Sequence, residues 1–352
     1  MRLASFLYRL RFTFGATIAF SLLLQYQIVK AGEAQDLFRQ AYQSYQQQQW
    51  AEALLPLEQA LAQYPGYAEA HHLLGLLYSK QDKLEPAIQE FRRAVEAYPT
   101  FAQALLDLGY TYQQASRHQE AEQAFQQALD AYPEFLESRM ALASLYDHLP
   151  DPTKAIAAHQ AVLALQPTQA DSLYGIAFWL LQEGKLKEAQ PYVDRLLAAS
   201  PSHVNGWIMA GSIAQQTDHL DQAIHAYQQA VSLESELDQP YFSLGMLYQQ
   251  KEEYDRAAQA FENVTRLNPK NAEAHMNLGV VLASLSKVDE AEKAYRAALA
   301  LNPNLAEGYY NLGLLYEFHH HAPQKALKAY RTYVKLGGQD ERILKLLQRT
   351  TP

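Results

Sequence analysis

The chain contains no cysteine. Disulfides, thiolate metal centres and cysteine nucleophiles are therefore excluded. Glycine is sparse, 15 residues in 352, as suits helices, whose interiors it weakens. No glycine-rich phosphate loop occurs, and no Ser-His-Asp or paired-carboxylate pattern rises above a helical background. Enzyme chemistry is not expected. Bases are outnumbered by acids, 29 to 38. Residues 1–31 hold Arg2, Arg9, Arg11 and Lys30 and no acid, so the rest carries 25 bases against 38 acids, a formal charge of −13. Nucleic acid and anionic membrane surfaces both require clustered positive charge, and neither is expected as a partner. A basic client segment or cations fit that balance.

Long apolar runs are missing outside the N-terminus. There, basic residues precede Phe12 to Leu24, the length of a signal-peptide core and short for a membrane span of about 20 residues. Val29-Lys30-Ala31 places small or β-branched residues where a signal peptidase reads. Residues 1–31 are expected to be a signal peptide cleaved after Ala31. The alternative is an uncleaved signal anchor lengthened by Tyr26, Ile28 and Val29. Either reading puts the remainder outside the cytoplasm, periplasmic in a bacterium, with membrane contact through a client or an uncleaved anchor.

What is abundant is repetition. Ala53, Ala87, Ala121, Ala155, Ala189, Ala223, Ala257 and Ala291 recur every 34 residues. A small residue in fixed register lets two helices cross closely. Around it recur Leu-Gly pairs (Leu74-Gly75, Leu108-Gly109, Leu244-Gly245, Leu278-Gly279, Leu312-Gly313), an aromatic (Phe91, Phe125, Tyr227, Phe261, Tyr295) and a closing proline (Pro65, Pro99, Pro133, Pro167, Pro201, Pro269, Pro303). Apolar residues return at three and four within each half, the helical period. Polar turns such as Gln81-Asp82-Lys83 separate the halves.

This combination of small, aromatic and proline places resembles the tetratricopeptide repeat (TPR) family. The resemblance implies an all-α, right-handed α-solenoid (superhelix) of helix-turn-helix units. Nine units are expected over 34–338, starting at 34, 68, 102, 136, 170, 204, 238, 272 and 306. Residues 339–352 are expected to form a capping helix (Gln339–Arg349) and tail, because the last unit of a solenoid otherwise shows an apolar face to water. Three departures are expected to matter. Leu149-Pro150-Asp151-Pro152 is a stiffer turn, Ser235 in place of proline predicts a longer or looser joint, and one extra residue near His319-His320-His321 moves the alanine to Ala326.

In this family the first helix of each unit lines a concave groove. Carried over by register, the fifth places are Phe38, His72, Leu106, Met140, Tyr174, Ile208, Phe242, Met276 and Tyr310. The ninth places are Tyr42, Leu76, Tyr110, Ser144, Phe178, Ser212, Met246, Val280 and Leu314. The candidate client groove is Leu106, Tyr110, Met140, Asp147, Tyr174, Phe178, Ile208, Phe242, Met246, Met276, Asn277, Tyr310 and Asn311. Methionines in it can repack around varied shapes, and acids (Glu69, Asp107, Glu137, Asp147, Asp171, Glu273, Glu307, Glu317) outnumber Arg39 and Lys80. An apolar client with basic residues is the expected partner. Asn277 and Asn311 match the carboxylate-clamp places of chaperone-binding TPR domains, but the clamp's cations are absent. No cofactor is required. Asp107, Asp147 and His148 are candidate ligands for a hard ion such as manganese, and His319–His321 is a second, exposed histidine tract.

The reading is a non-enzymatic scaffold that holds a client segment while a membrane complex is assembled. Nine units behind an export signal are similar in architecture to cyanobacterial processing-associated TPR proteins. That likeness implies photosystem II assembly, contact with the reaction-centre core subunit and manganese supply. A manganese-handling protein, or an envelope scaffold for secretion or outer-membrane assembly, are the alternatives.

Overall fold

The computed structural model describes residues 32–350; the expected signal segment 1–31 lies outside them. Helix α1 occupies 32–46. It is followed by α2 (Trp50–Gln63), α3 (Ala68–Lys80), α4 (Leu84–Ala97), α5 (Ala102–Gln114), α6 (His118–Ala131), α7 (Leu136–Asp147), α8 (Pro152–Leu165) and α9 (Ala170–Gln182). Then come α10 (Leu186–Ala199), α11 (Val204–Gln216), α12 (Leu220–Leu233), α13 (Asp238–Gln250), α14 (Tyr254–Leu267), α15 (Ala272–Ser284) and α16 (Val288–Leu301). α17 (Ala306–Phe318), α18 (Pro323–Lys335) and α19 (Glu341–Thr350) complete the series. No strand occurs among the described residues. None of their helices is long and apolar enough to cross a membrane.

The chain divides into two compact bodies, the first ending at Trp179 and the second beginning at Leu180. In the first, α3 pairs with α4, α5 with α6 and α7 with α8, and each pair stacks on the next through α4–α5 and α6–α7. The second repeats the scheme with α11–α12, α13–α14, α15–α16 and α17–α18.

The same side-chain choices recur through the pairs, the alanine in all that follow the 34-residue register and the glycine–aromatic contact in six. The register alanines from Ala53 to Ala291 are all 0% exposed, so the helices close to backbone range there. A first-helix glycine receives the second-helix aromatic. At Gly109 an added Cβ would lie 2.4 Å from the Phe125 ring, and at Gly245 2.7 Å from Phe261. Those rings are sealed, Phe91, Phe125 and Phe261 at 0%. The chain then turns within every pair but α7–α8 through one residue of positive φ: Gln48, Asp82, Ser116, Gly184, Asp218, Glu252, Ser286 and His321.

Two expected departures have a local cause. Pro150 occupies the positive-φ place of its turn, and proline cannot adopt that conformation. There α7 stops after 12 residues, and Asp151 caps α8 by accepting from Lys154 N at 3.1 Å. The joint at Ser235 is no longer than its siblings, contrary to one expectation, but it is looser: the bond from the N–H three residues on to the C-cap carbonyl, which closes each of the other seven joints, is not made between Leu237 and Glu234. α13 begins 34 residues after α11, and Glu234 N donates to Ala230 O at 3.0 Å as at the other joints. Stopping the helix depends on the extended Glu234 (φ −140°, ψ 101°), so the following proline is dispensable. The terminal helix is α19, two residues later than expected at its start. Gly337 at φ +95° ends α18, Asp340 Oδ1 accepts from Ile343 N at 2.9 Å, and Ile343 is 0% exposed against the second core.

Candidate functional site

In the first body the first helices α3, α5 and α7 pack on one another in succession. Their fifth and ninth places therefore share a wall. Along it Phe38 stacks on Tyr42 at 6.1 Å, and His72 leans on Phe91 and Phe101 at 5.7 and 4.9 Å. Tyr110 meets Phe125 edge-on at 5.3 Å, and Tyr174 stacks on Phe178 at 6.2 Å. Tyr42 and Tyr110 are 44% and 42% exposed; Met140, Tyr174 and Phe178 are half-buried. Leu106 is a correction: at 4% exposure it is core, because its side chain joins the Phe91 cluster.

Between α3 and α5 the wall opens into a hollow of about 470 Å³, with Leu76 and Phe91 at its floor and Ser79, Asp107, Tyr110 and Gln113 around it. Its electrostatics are negative. Burial first, then the carboxylates of Asp107 and Glu137, pushes the Tyr110 hydroxyl above its ordinary pKa. Burial and Asp107 do the same to Tyr45, and burial and Asp147 to Tyr174. Each phenol resists ionisation first because it is partly buried and then because negative charge is near. Arg39, expected as one of two groove cations, is paired with Asp36 at 2.9 Å.

Asp147 belongs to a knot that the sequence did not announce. Its Oδ1 accepts from Trp179 Nε1 at 2.8 Å and from His159 Nε2 at 3.1 Å. His159 Nδ1 lies 3.2 Å from Ser172 Oγ. With Nε2–H donating to Asp147 and Nδ1 accepting the Ser172 hydroxyl, all three groups are satisfied. Burial raises the Asp147 carboxyl, but the bonds from His159 and Trp179 outweigh it and hold the group below its usual range. His159 stands where sibling repeats place Phe125 or Tyr227, and it lies against Gly175, where an added Cβ would fall on the imidazole. That odd residue in an aromatic place was the available signal. Asp, His and Ser invite comparison with an acyl-transfer triad, yet Ser172 is 2% exposed and His159 4%. The knot orients Asp147 and Trp179 and leaves no reachable nucleophile.

The metal candidates are not brought together as a ligand set. Asp107 accepts from His72 at 2.7 Å and Gln103 at 3.2 Å. Asp147 is taken up by His159 and Trp179, and His148 Nδ1 donates to Ser144 O at 2.7 Å. Among the described residues no group of three or more His, Asp or Glu is arranged to hold an ion.

In the second body Met246 is 38% exposed, and Ile208, Phe242, Asn277, Tyr310 and Asn311 are half-buried. Phe242 lies edge-on to Phe261 at 5.7 Å; Tyr310 packs at 5.2 Å on Tyr333 and donates to Asp340 at 3.3 Å. Met276, 5% exposed, is core and a second correction, its side chain packed into the cluster around Phe261 and Tyr295.

Tetratricopeptide repeat models match residues 44–108, 106–170, 204–237, 242–306 and 284–341. The chain belongs to the TPR family and is an all-α solenoid of its units. No curated protein matches the sequence. Among solved structures it is similar to the C-terminal part of a TPR repeat-containing protein from Cytophaga hutchinsonii, at 16% identity and a TM-score of 0.60, covering 68% of this chain and 99% of that one. It is also similar to YrrB, described as a TPR protein with an unusual peptide-binding site, at 20% identity and a TM-score of 0.51, covering 55% and 100%. At such identities the likeness is one of fold. TPR solenoids serve protein–protein interaction.

Proposed function

We propose that the chain is an exported, non-enzymatic scaffold that holds a segment of a client protein against its first-helix wall. One observation carries the reading: an open aromatic wall whose hollow, beside Tyr110, lies in the field of Asp107 and Glu137. Half-exposed rings supply apolar contact without much side-chain entropy to lose, and the carboxylates favour a client with lysine or arginine among apolar residues. The peptide-binding site of YrrB is consistent with this use of the fold. Export rests on the sequence of residues 1–31. Assembly of a membrane complex, with photosystem II as the pathway, rests on the architectural resemblance to the processing-associated TPR protein PratA. Manganese supply belongs to the same proposal.

Photo-crosslinking tests the wall. A benzoylphenylalanine at Tyr110 of the full chain, irradiated in a membrane extract, is expected to capture one client. Its yield should fall when Glu137→Lys is added, with the circular dichroism unchanged. Equal yield with and without the charge reversal refutes the wall as the site. Calorimetry of the tag-free chain with manganese tests the metal branch separately, and a lack of heat at tens of micromolar ends it.

A further inference from the structure

Three of the joints between repeats carry a tyrosine before the proline: Tyr64-Pro65, Tyr98-Pro99 and Tyr132-Pro133. These tyrosines are 47%, 51% and 52% exposed, unusual for rings in an otherwise well-sealed array. Each leans on the aromatic three residues on, Tyr67, Phe101 or Phe135, with centroids 5.9, 5.8 and 5.8 Å apart. The rings are thus held in place while about half of each faces water.

The joint itself does not need them. Later joints place Gln166, Ser200, Asn268 and Asn302 at the same position. They close the same turn, with Gln169 N on Gln166 O at 3.1 Å and Asn271 N on Asn268 O at 3.0 Å, against 3.0 Å for Phe101 N on Tyr98 O. Three tyrosines therefore expose apolar surface that turn formation does not require, all within the first body.

Their spacing and surroundings define a partner. Each tyrosine leans on the N-cap residue of a first helix, α3, α5 or α7. These helices pack on one another in succession and packed helices lie about 8–10 Å apart, so the tyrosines return at about that step. A polyproline II helix completes its turn in three residues, about 9 Å, and offers the same face to each ring. Beside the rings stand the exposed acids Glu96, Asp130 and Glu134 and one base, Arg139, which donates to Pro133 O at 2.8 Å, so acids outnumber bases along the row. We propose that Tyr64, Tyr98 and Tyr132 form a docking ladder for a proline-rich partner segment that carries lysine or arginine between its prolines and binds as a polyproline II helix. Aromatic rows suit such ligands because the helix is preformed and little entropy is lost on docking. The acids complement its charge and make binding weaken with salt.

The ladder sits on the inter-repeat joints and the client wall on the first helices, so the two can fail separately. The probe is a fluorescent ten-residue peptide of repeated Arg-Pro-Pro, titrated into the full chain by anisotropy. Tight binding is expected, and the variant Tyr64→Gln/Tyr98→Gln/Tyr132→Gln should bind at least about tenfold more weakly with unchanged circular dichroism. Glutamine is the residue the chain itself uses at position 166; should the triple variant misfold, Tyr98→Gln alone is read, with a smaller loss expected. A peptide with every proline replaced by glycine keeps the charge and should also bind about tenfold more weakly. Absence of binding to the unsubstituted chain overturns the proposal. So does equal affinity of the folded tyrosine variant, or equal affinity for the glycine peptide, which would reduce the contact to charge alone. Tyr110→Ala/Phe178→Ala, which strips the client wall, is expected to leave this affinity unchanged; a parallel loss would mean that the peptide sits on the wall, and would overturn the ladder.

Discussion

Substituting Gly109→Ala tests whether the glycine–aromatic contact, and not glycine itself, sets the pairing of helices. The new Cβ would lie 2.4 and 2.5 Å from Cε1 and Cδ1 of Phe125, where carbon contacts settle near 3.5–4.0 Å. The ring must retreat by about 1 Å. It is 0% exposed and braced edge-on against Tyr110, so it cannot simply swing away. Overpacking of this kind costs about 1–3 kcal/mol, offset by about 1 kcal/mol for replacing glycine inside a helix. The net loss is about 1 kcal/mol, read by urea unfolding followed by circular dichroism. The decisive measurement is the double-mutant cycle. In a Phe125→Leu background the smaller side chain removes the clash, and Gly109→Ala should become neutral or stabilising by up to about 1 kcal/mol. Because a repeat array can unfold in steps, amide exchange in α5 and α6 should localise the change. Additive effects, with no coupling between the positions, would refute the steric account.

Glu252 is exposed and held at φ +59°, which costs an L-residue about 1–2 kcal/mol; Glu252→Gly should stabilise by about 0.5–1 kcal/mol after glycine's own entropy loss, and a lower melting temperature would contradict this. The Asp147 carboxyl is held below its usual pKa, so its stabilisation is complete above the unfolded value near 3.9 and is lost as pH falls through the lower folded value. Asp147→Asn should therefore melt lower than the parent at neutral pH, with the gap narrowing below about pH 4; a gap independent of pH would separate the effect from charge. Tyr330, 0% exposed, donates to Glu317 and accepts from Arg342 of α19. Tyr330→Phe should cost about 1–2 kcal/mol and speed amide exchange in α19 ahead of the other helices; uniform exchange would argue against that tie.

The fold was legible because the chain states it many times. A register of alanines, a glycine met by an aromatic and an extended residue closing each second helix are local rules. Repeats that touch only their neighbours need little else. Legibility stopped where a local rule has two solutions. At the Ser235 joint, which has no proline, the turn bond is missing yet the helix still stops, because the stop is the extended backbone at Glu234, available to any residue. Register alone points Leu106 and Met276 to the groove. Register fixes the helix face but not how deeply a given side chain sinks between neighbours, and both are core.

The candidate site follows the opposite logic. What makes the repeats alike builds the solenoid, so functional information concentrates where one repeat departs from its siblings. His159 in an aromatic place gathers Asp147, Ser172 and Trp179 around itself, and that gathering removes Asp147 from the free metal ligands the sequence offered. Tyr64, Tyr98 and Tyr132 depart together, in three consecutive joints, while the turn they occupy forms equally well on glutamine or asparagine. A residue that the fold does not need, kept half in water at every step of one stretch, must be explained by something outside the fold. Position-by-position difference between repeats is therefore the measure that finds sites in such a chain, whereas similarity finds only its scaffold.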